Sequence, residues 1–486
     1  MYLGIDIGTS SVKTVLVDDA QTVVASASEP LAVSRPHPGW SEQNPRDWWQ
    51  ANERTIDALA ASRPVEVAAV TGIGLSGQMH GATLLDAADE ALRPAILWND
   101  GRSARECVEL EEACPASRTI TGNIAMPGFT APKLAWLRKH EPEIFSRIAK
   151  VLLPKDYVRL RLTGAHVSDM SDSSGTLWLD VGKRYWSDAM LAATGLDQSQ
   201  MPDLVEGTEP SGVLRDELRA RWGMAKAPVV AGGAGDNAAS ACGMGTLAPG
   251  RAFASLGTSG VLFVSNARFS PNTEGAVHAF CHAVPDTWHQ MGVILSAADS
   301  LNWLAGLLSR DPAELTAALG ETVAAPSPVI FLPYLSGERT PHNDAAARGA
   351  LVGLDHGVGD TAVTQAVLEG VAFAFRDCLG ALAAAGTAIE SAVAVGGGAR
   401  SRLWLRILAS VLNRPLEVPG AGDIGAAFGA ARLAICAATG ADPFQVCVPP
   451  AIDVVIEPDP ALVEQYDDGY ARYRALYPAI REALNP

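Results

Sequence analysis

No two cysteines in this chain stand in a C-x-x-C spacing, and their number, seven, is odd. Cys107, Cys114, Cys242, Cys281, Cys378, Cys436 and Cys447 therefore read as reduced thiols, not as a disulfide framework or a zinc site. Basic residues are scarce: 37 Lys and Arg stand against 54 Asp and Glu, a net charge of −17. Nucleic acid and anionic membranes need a basic face, so neither is expected as the main partner. There is no apolar run fit to span a membrane; the weakly charged stretch from Cys378 to Ala399 reads as helix, turn and strand. The N-terminus reaches Asp6 at once, without a basic patch before an apolar core, so no secretory signal is expected and a cytoplasmic location is. The P-loop pattern G-x-x-x-x-G-K-[ST] is absent, and so are the H-R-D and D-F-G motifs of protein kinases. No segment is of low complexity.

What is present is a globular composition, 48% hydrophobic and 19% charged, over 486 residues, enough for two or three domains. Its organising feature is the stretch Leu3 to Lys13, an apolar strand carrying Asp6, a Gly8-Thr9-Ser10 turn and a second strand running to Asp18. Such a hairpin offers backbone N–H groups and hydroxyls to anionic oxygens. The chain repeats it half a length later, at Ala252 to Val261, with the turn Gly257-Thr258-Ser259. Asp6 aligns with Ser255, so the copies share the turn but not the acid.

After the first hairpin, Val23 to Ala27 predicts a third strand, and Asn44-Pro45 an N-capped helix start with Trp48, Ile56 and Leu59 buried. Val67 to Val70 predicts a short strand. Gly72-Ile73-Gly74-Leu75-Ser76-Gly77 fits G-x-G-x-x-G, but another strand, Ala82 to Asp86, follows where a dinucleotide fold needs a helix. We reject that reading. Pro94 to Trp98 predicts a strand ending in Asn99-Asp100-Gly101-Arg102. Ser103 to Trp222 reads as mainly helical, with loops at Met126-Pro127-Gly128 and Met170 to Thr176. Pro228 to Ala231 predicts a buried strand leading into Gly232-Gly233-Ala234-Gly235-Asp236-Asn237, with Asp236 at a helix N-terminus, where the dipole is expected to keep it ionised. Pro249-Gly250 marks a domain boundary, giving domains 1–247 and 248–486. A long helix from Thr361 to Leu382, a strand from Ser391 to Val395 and the turn Gly396-Gly397-Gly398-Ala399 follow. The Ala/Gly-rich helix from Gly425 to Ala438 is suited to close packing between domains, and Ala461 opens a terminal amphipathic helix.

Two glycine-hydroxyl hairpins and a third glycine turn suggest a nucleotide held between related domains. Phosphoryl transfer needs phosphate anchors, a charge-neutralising metal and a group that orients the attacking hydroxyl. Thr9, Ser10, Thr258 and Ser259 are candidates for the phosphates, Asp6 for a hydrated Mg²⁺ and Asp236 for the nucleophile; Mg²⁺ needs only one or two carboxylates. Plainer readings stand beside these. Asp6 could be a structural sheet-end acid, Asp236 only a helix cap, His80 a core histidine, Met79 core filler, and Asn99, Asp100 and Arg102 a turn with a salt bridge.

Asp6-Ile7-Gly8-Thr9, Gly257-Thr258-Ser259-Gly260 and Gly396-Gly397-Gly398-Ala399, in that order, resemble the FGGY carbohydrate kinases of the actin and hexokinase superfamily. Gly128 to His140 is similar to the family's first signature and Gly349 to Glu369 to its second, departing from it at Ala362. Ser34 to Asn44, Ser76 to Gly81, Arg93 to Arg102, Leu153 to Tyr157 and Pro333 to His342 resemble the branch that acts on D-xylulose. The resemblance implies an α/β fold of two actin-like (ribonuclease H-like) domains, each a mixed sheet flanked by helices, with the active site in the cleft between them. ATP would bind mainly to the second domain and sugar to the first. Asp236 would be the base and also a metal neighbour, Asp6 the metal-associated acid, and Gln78, Met79 and His80 the sugar block, with Asn99 and Asp100 behind it. Gly8, Thr9, Ser10, Gly257, Thr258 and Ser259 would face phosphate, and Gly397 and Gly398 the adenosine. The implied partners are D-xylulose and MgATP, with no nucleic acid and no membrane; a homodimer is left open. Kinases for ribulose, gluconate or glycerol are the alternatives, although Gln78-Met79-His80 replaces the Arg-Glu pair of the glycerol kinases. A non-enzymatic ATP-binding regulator is the other.

Overall fold

In the computed structural model, residues 1–420, 422 and 424–484 are described, and they form two mixed sheets of the same plan. In the first, Tyr2–Ile7 pairs antiparallel with Ser11–Val17, which pairs antiparallel with Val23–Pro30. On the other side of Tyr2–Ile7, Gly72–Gly77 and then Val229–Ala231 run parallel, and Pro210–Val213 closes the edge antiparallel. In the second sheet, Ala252–Leu256, Gly260–Asn266 and Trp288–Ile294 form the same antiparallel set. Ala392–Val395 and Leu416–Pro419 are the parallel pair, and Ile452–Ile456 is the antiparallel edge. The duplicated hairpins thus occupy equivalent places.

Asn44 caps the helix Pro45–Ser62 as its sequence predicts, accepting from Arg46 N, and Trp48, Ile56 and Leu59 are buried. Each such side chain contributes about 1.5–3 kcal/mol relative to exposure. No strand forms over Val67 to Val70: Val67 and Ala68 end the helical turn Pro64–Ala68, because Pro64 sits at its first position and starts a new helix directly after the old one, and Ala69 and Val70 follow it. The loop expected at Met170 to Thr176 contains a short helix, Met170–Ser174, started by Asp169, which accepts from Ser171 N and Asp172 N. All seven thiols are free and buried. Among the described residues no helix is long and apolar enough to cross a membrane.

The glycines of Gly72–Gly77 lie within a strand, and their reason is packing. The helix Ala426–Thr439, from the second half of the chain, lies on the first sheet. A Cβ on Gly74 would stand 1.8 Å from Ala430 O, and one on Gly4, on the neighbouring strand, 1.9 Å from Ala427 O. Its topological counterpart, Asp236–Met244, sends Ala241 and Met244 into the core around Phe253, Phe263 and Met291 of the second sheet. The two helices touch backbone to backbone: a Cβ on Gly429 would be 1.7 Å from Ala239 O. Each domain therefore lends a helix to the interface, and Asp236 begins one of the pair.

Candidate active site

The second hairpin opens onto a cavity of about 890 Å³ lined by Gly257, Thr258, Gly397, Gly398, Asn302 and Arg400, among others. The Gly257 and Thr258 carbonyls accept from Ala298 N (2.8 Å) and Ala297 N (2.9 Å), which fixes the turn against the helix Ala298–Leu308. Gly396 has φ +93°, and a Cβ there would meet Leu256 at 2.7 Å, so the glycine turn rests on the hairpin strand. Gly397 is exposed, with nothing within 4 Å of a Cβ position, and so presents bare backbone to the cavity. Ser259 is half-buried beside this turn and is not part of the cavity wall.

The first hairpin is tied to the strand end at Gln78 instead. Ser76 Oγ donates to Asp6 Oδ1 at 2.9 Å, across the register that also sets Asp6 opposite Lys13. Thr9 Oγ1 donates to Gln78 Oε1 (3.0 Å) and accepts from Trp98 Nε1 (3.0 Å). Gln78 Nε2 donates to Gln43 Oε1 (2.8 Å), and Gln43 Nε2 to Thr9 O (2.8 Å). Both ends of the buried Gln78 amide are thereby engaged in holding the turn. Gly8 N closes the turn on Ser11 O at 3.0 Å, and Ser10 is exposed at its tip.

Met79 and Asp236 come together, and His80 follows Met79 in the chain. A Cβ on Gly235 would lie 2.9 Å from Met79 Cγ, so Met79 packs on the backbone immediately before Asp236. His80 adopts φ +71°, an uncommon conformation for a non-glycine residue. Its carbonyl is fixed by Lys133 Nζ (2.9 Å) and Thr130 Oγ1 (3.2 Å), which hold the peptide in place. His80 Nδ1 lies 2.7 Å from Gly175 O, a contact that requires the proton on Nδ1 and leaves Nε2 as an acceptor. Burial, with the nearby Lys133 and Arg339 cations, pushes the imidazole down to about 3, so it is neutral. Burial likewise lowers Lys133 to about 7.

Asp236 is the first residue of its helix, and its Oδ1 accepts from Asn237 N (2.8 Å) and Asn237 Nδ2 (3.0 Å). The expectation that the dipole keeps it ionised is corrected. Desolvation, followed by the nearby Asp6 carboxylate, raises it to about 7, outweighing the hydrogen bonds that act in the other direction. Asn99 and Asp100 are not drawn into this group. Asn99 is exposed, while Asp100 is buried and accepts from Ser41 N (2.6 Å) and from Arg102 N, Nε and Nη2 (3.0, 2.8 and 2.7 Å).

The family model for the N-terminal domain of the FGGY carbohydrate kinases matches residues 1–243, and the C-terminal model matches 252–438. The chain belongs to the FGGY family of carbohydrate kinases. It is a sugar kinase of two domains. It is 54% identical over 440 residues to the xylulose kinase of Escherichia coli, covering 90% of each chain, and 49% identical to that of Klebsiella pneumoniae over 100% and 99% of the two. Among solved structures, a xyloylose kinase from Brucella ovis is 62% identical with TM-score 0.98, covering 99% of both chains. A xylulose kinase from Rhodospirillum rubrum is 32% identical with TM-score 0.92 over 100% and 99%.

Beneath the Asp236 loop of this FGGY kinase lies a buried charge cluster. Lys155 Nζ reaches Asp156 (2.6 Å), Asp169 (2.7 Å) and Asp172 (3.2 Å). Asp169 Oδ2 accepts from Ser171 Oγ (2.5 Å), and Ser171 Oγ accepts from Gly235 N (3.1 Å). Arg159 Nη1 donates to Ala231 O at 2.6 Å, and Nη2 to Gly232 O. The glycine run into Asp236 is thus held from both ends. Sequence reasoning does not find these roles, since a charged residue buried by partners far along the chain looks like a surface one.

Asp6 is close enough to raise the cost of ionising Asp236, and a hard divalent cation relieves such repulsion. Among the described residues no group of three or more His, Cys, Asp or Glu could hold a metal ion. Two oxygen donors with phosphate and water suit Mg²⁺, so the residues fit it.

Proposed function

We propose that this FGGY kinase transfers the γ-phosphate of ATP to D-xylulose, giving ADP and D-xylulose 5-phosphate. The observation that carries the reading is the packing of Met79 on the backbone just before Asp236, with His80 next to it in the chain, together with a separate cavity at the second domain's hairpin. Similarity to xylulose kinases over nearly the whole chain supports the choice of sugar. Residues 1–247 form the sugar side and 248–486 the nucleotide side.

The terminal hydroxyl of the sugar attacks the γ-phosphorus, the bond to the β–γ bridging oxygen breaks, and the hydroxyl proton passes to Asp236. The transition state is loose, so Asp236 first orients the hydroxyl and takes its proton late. His80 Nε2, the acceptor left free by the Gly175 contact, accepts a hydrogen bond from a sugar hydroxyl, which keeps its proton. Gly257, Thr258, Gly397 and Gly398 bind nucleotide, and Ser259 supports their turn. Gln78 and Asp100 hold the sugar-side loops rather than touch sugar. Asp6 and Asp236 would hold Mg²⁺ with phosphate oxygens and water; when bound, it neutralises charge on the phosphates. Gly8, Thr9 and Ser10 face the γ-phosphate from the first domain.

ADP release measured across D-xylulose, other ketoses, gluconate and glycerol tests the choice of substrate, and kcat/KM is expected to be highest for D-xylulose. A better acceptor in that panel would replace it. His80→Ala is expected to raise the sugar KM about tenfold, the worth of one hydrogen bond, with the ATP KM unchanged. Steady-state kinetics with each substrate varied in turn checks this, and an unchanged sugar KM would remove His80 from the subsite.

A further inference from the structure

Arg339 lies in the loop after the strand Ile330–Leu332 of the second domain, and its backbone is clamped on both sides. Glu338 Oε1 accepts from Arg339 N (2.8 Å) and Leu295 N (3.1 Å). Thr340 N donates to Val293 O (3.1 Å), while Thr340 Oγ1 accepts from Val293 N (3.0 Å) and donates to Ala276 O (3.0 Å). The guanidinium itself is placed by His278. Asn123 spends both amide protons on Thr121 O (2.7 Å) and Ala279 O (2.9 Å), so its Oδ1 faces His278 Nδ1 at 3.1 Å as an acceptor. His278 must then carry its proton on Nδ1, and its Nε2 accepts from Arg339 Nη1 at 3.3 Å.

This wall meets the sugar side directly. The Phe129 ring stands edge-on to His80 at 4.8 Å and to His278 at 5.4 Å, and the Arg339 charge acts on both imidazoles. Among the described residues Arg339 forms no ion pair. Glu338, its neighbour in sequence, is pushed up to about 8 by burial and so is largely neutral. Arg339 is half-buried, and its burial lowers its pKa. A guanidinium that has given up water for one imidazole nitrogen has donors left for an oxygen-bearing ligand.

We propose that Arg339, oriented by His278, is the second domain's sugar-binding residue, donating from its remaining N–H groups to an oxygen of the acceptor sugar on the side of the cleft facing His80. The inference rests on the sugar reading of the Met79–His80 pocket. It adds that acceptor recognition is shared between the domains, so that sugar bound in the first domain draws on the second.

Arg339→Met tests it in steady-state kinetics of the full chain with D-xylulose and ATP varied separately. The sugar KM is expected to rise about tenfold or more, as for loss of a charged donor, with the ATP KM within about twofold of the parent. An unchanged sugar KM, or equal rises in both KM values, would overturn the proposal. Should Arg339→Met not fold, Arg339→Gln, which stays polar, is read by the same two outcomes. A parent enzyme that phosphorylates no ketose would defeat the sugar reading and this inference with it, whereas an active parent and an indifferent Arg339 variant would sink this inference alone.

Discussion

Asp236→Asn is expected to lower kcat by roughly 10²–10⁴-fold, the range for loss of a positioned proton acceptor, while ATP affinity stays near that of the parent. Asparagine can still accept from Asn237 N and keep the helix start, so the side chain's place is retained and its basicity is lost. The substitution also removes the carboxylate that Asp6 repels, so thermal stability should hold or rise. Turnover by a coupled ADP assay and nucleotide binding by calorimetry separate the two effects. A variant that keeps most of its turnover would remove Asp236 from the chemistry; one that loses ATP binding in proportion would make it a nucleotide ligand instead.

The second large effect is on the interdomain helices. Gly429→Ala puts a Cβ 1.7 Å from Ala239 O, and Gly74→Ala one 1.8 Å from Ala430 O. Backbone lies on both sides of each contact, so the helix Ala426–Thr439 must move off its neighbour; at about 1–3 kcal/mol for such overpacking, Tm should fall by roughly 2–6 °C. Because Asp236 starts the helix that Gly429 touches, turnover should fall as well, with no new chemistry disturbed. Gly397→Ala is the control: its Cβ meets nothing within 4 Å, so Tm should not move. Scanning calorimetry of the three variants checks the order. Equal melting temperatures would mean that the helices are free to slide apart.

Features set by neighbouring residues were legible in the sequence. The two hairpins, the Asn44-Pro45 helix start, the helix at Asp236 and the Ala/Gly helix between the domains all follow from local patterning. Features set across the chain were not. Nothing near Gly74 says that a helix some 350 residues later, by the numbering, will lie on it, which is why its motif resembles a dinucleotide turn. Pro64 so soon after Ser62 looks like the end of a helix, and only the fold makes it the start of another turn. The charge of Asp236 was misread because the helix dipole is local, whereas Asp6 and the desolvating walls arrive from elsewhere. Gln78 and Asp100 stand among the sugar candidates in the sequence and are spent on partners such as Gln43 and Ser41. Arg339 is the reverse: it stands next to Glu338 in the chain, yet forms no ion pair among the described residues.

The measurement that bears most directly on the central claim is phosphorus NMR of the purified full chain with MgATP, before and after addition of D-xylulose. The predicted result is ADP formation that begins with the sugar and matches, mole for mole, a new phosphomonoester coupled to the C5 methylene protons. ADP release that is indifferent to D-xylulose, or a phosphoester on another carbon, would contradict it.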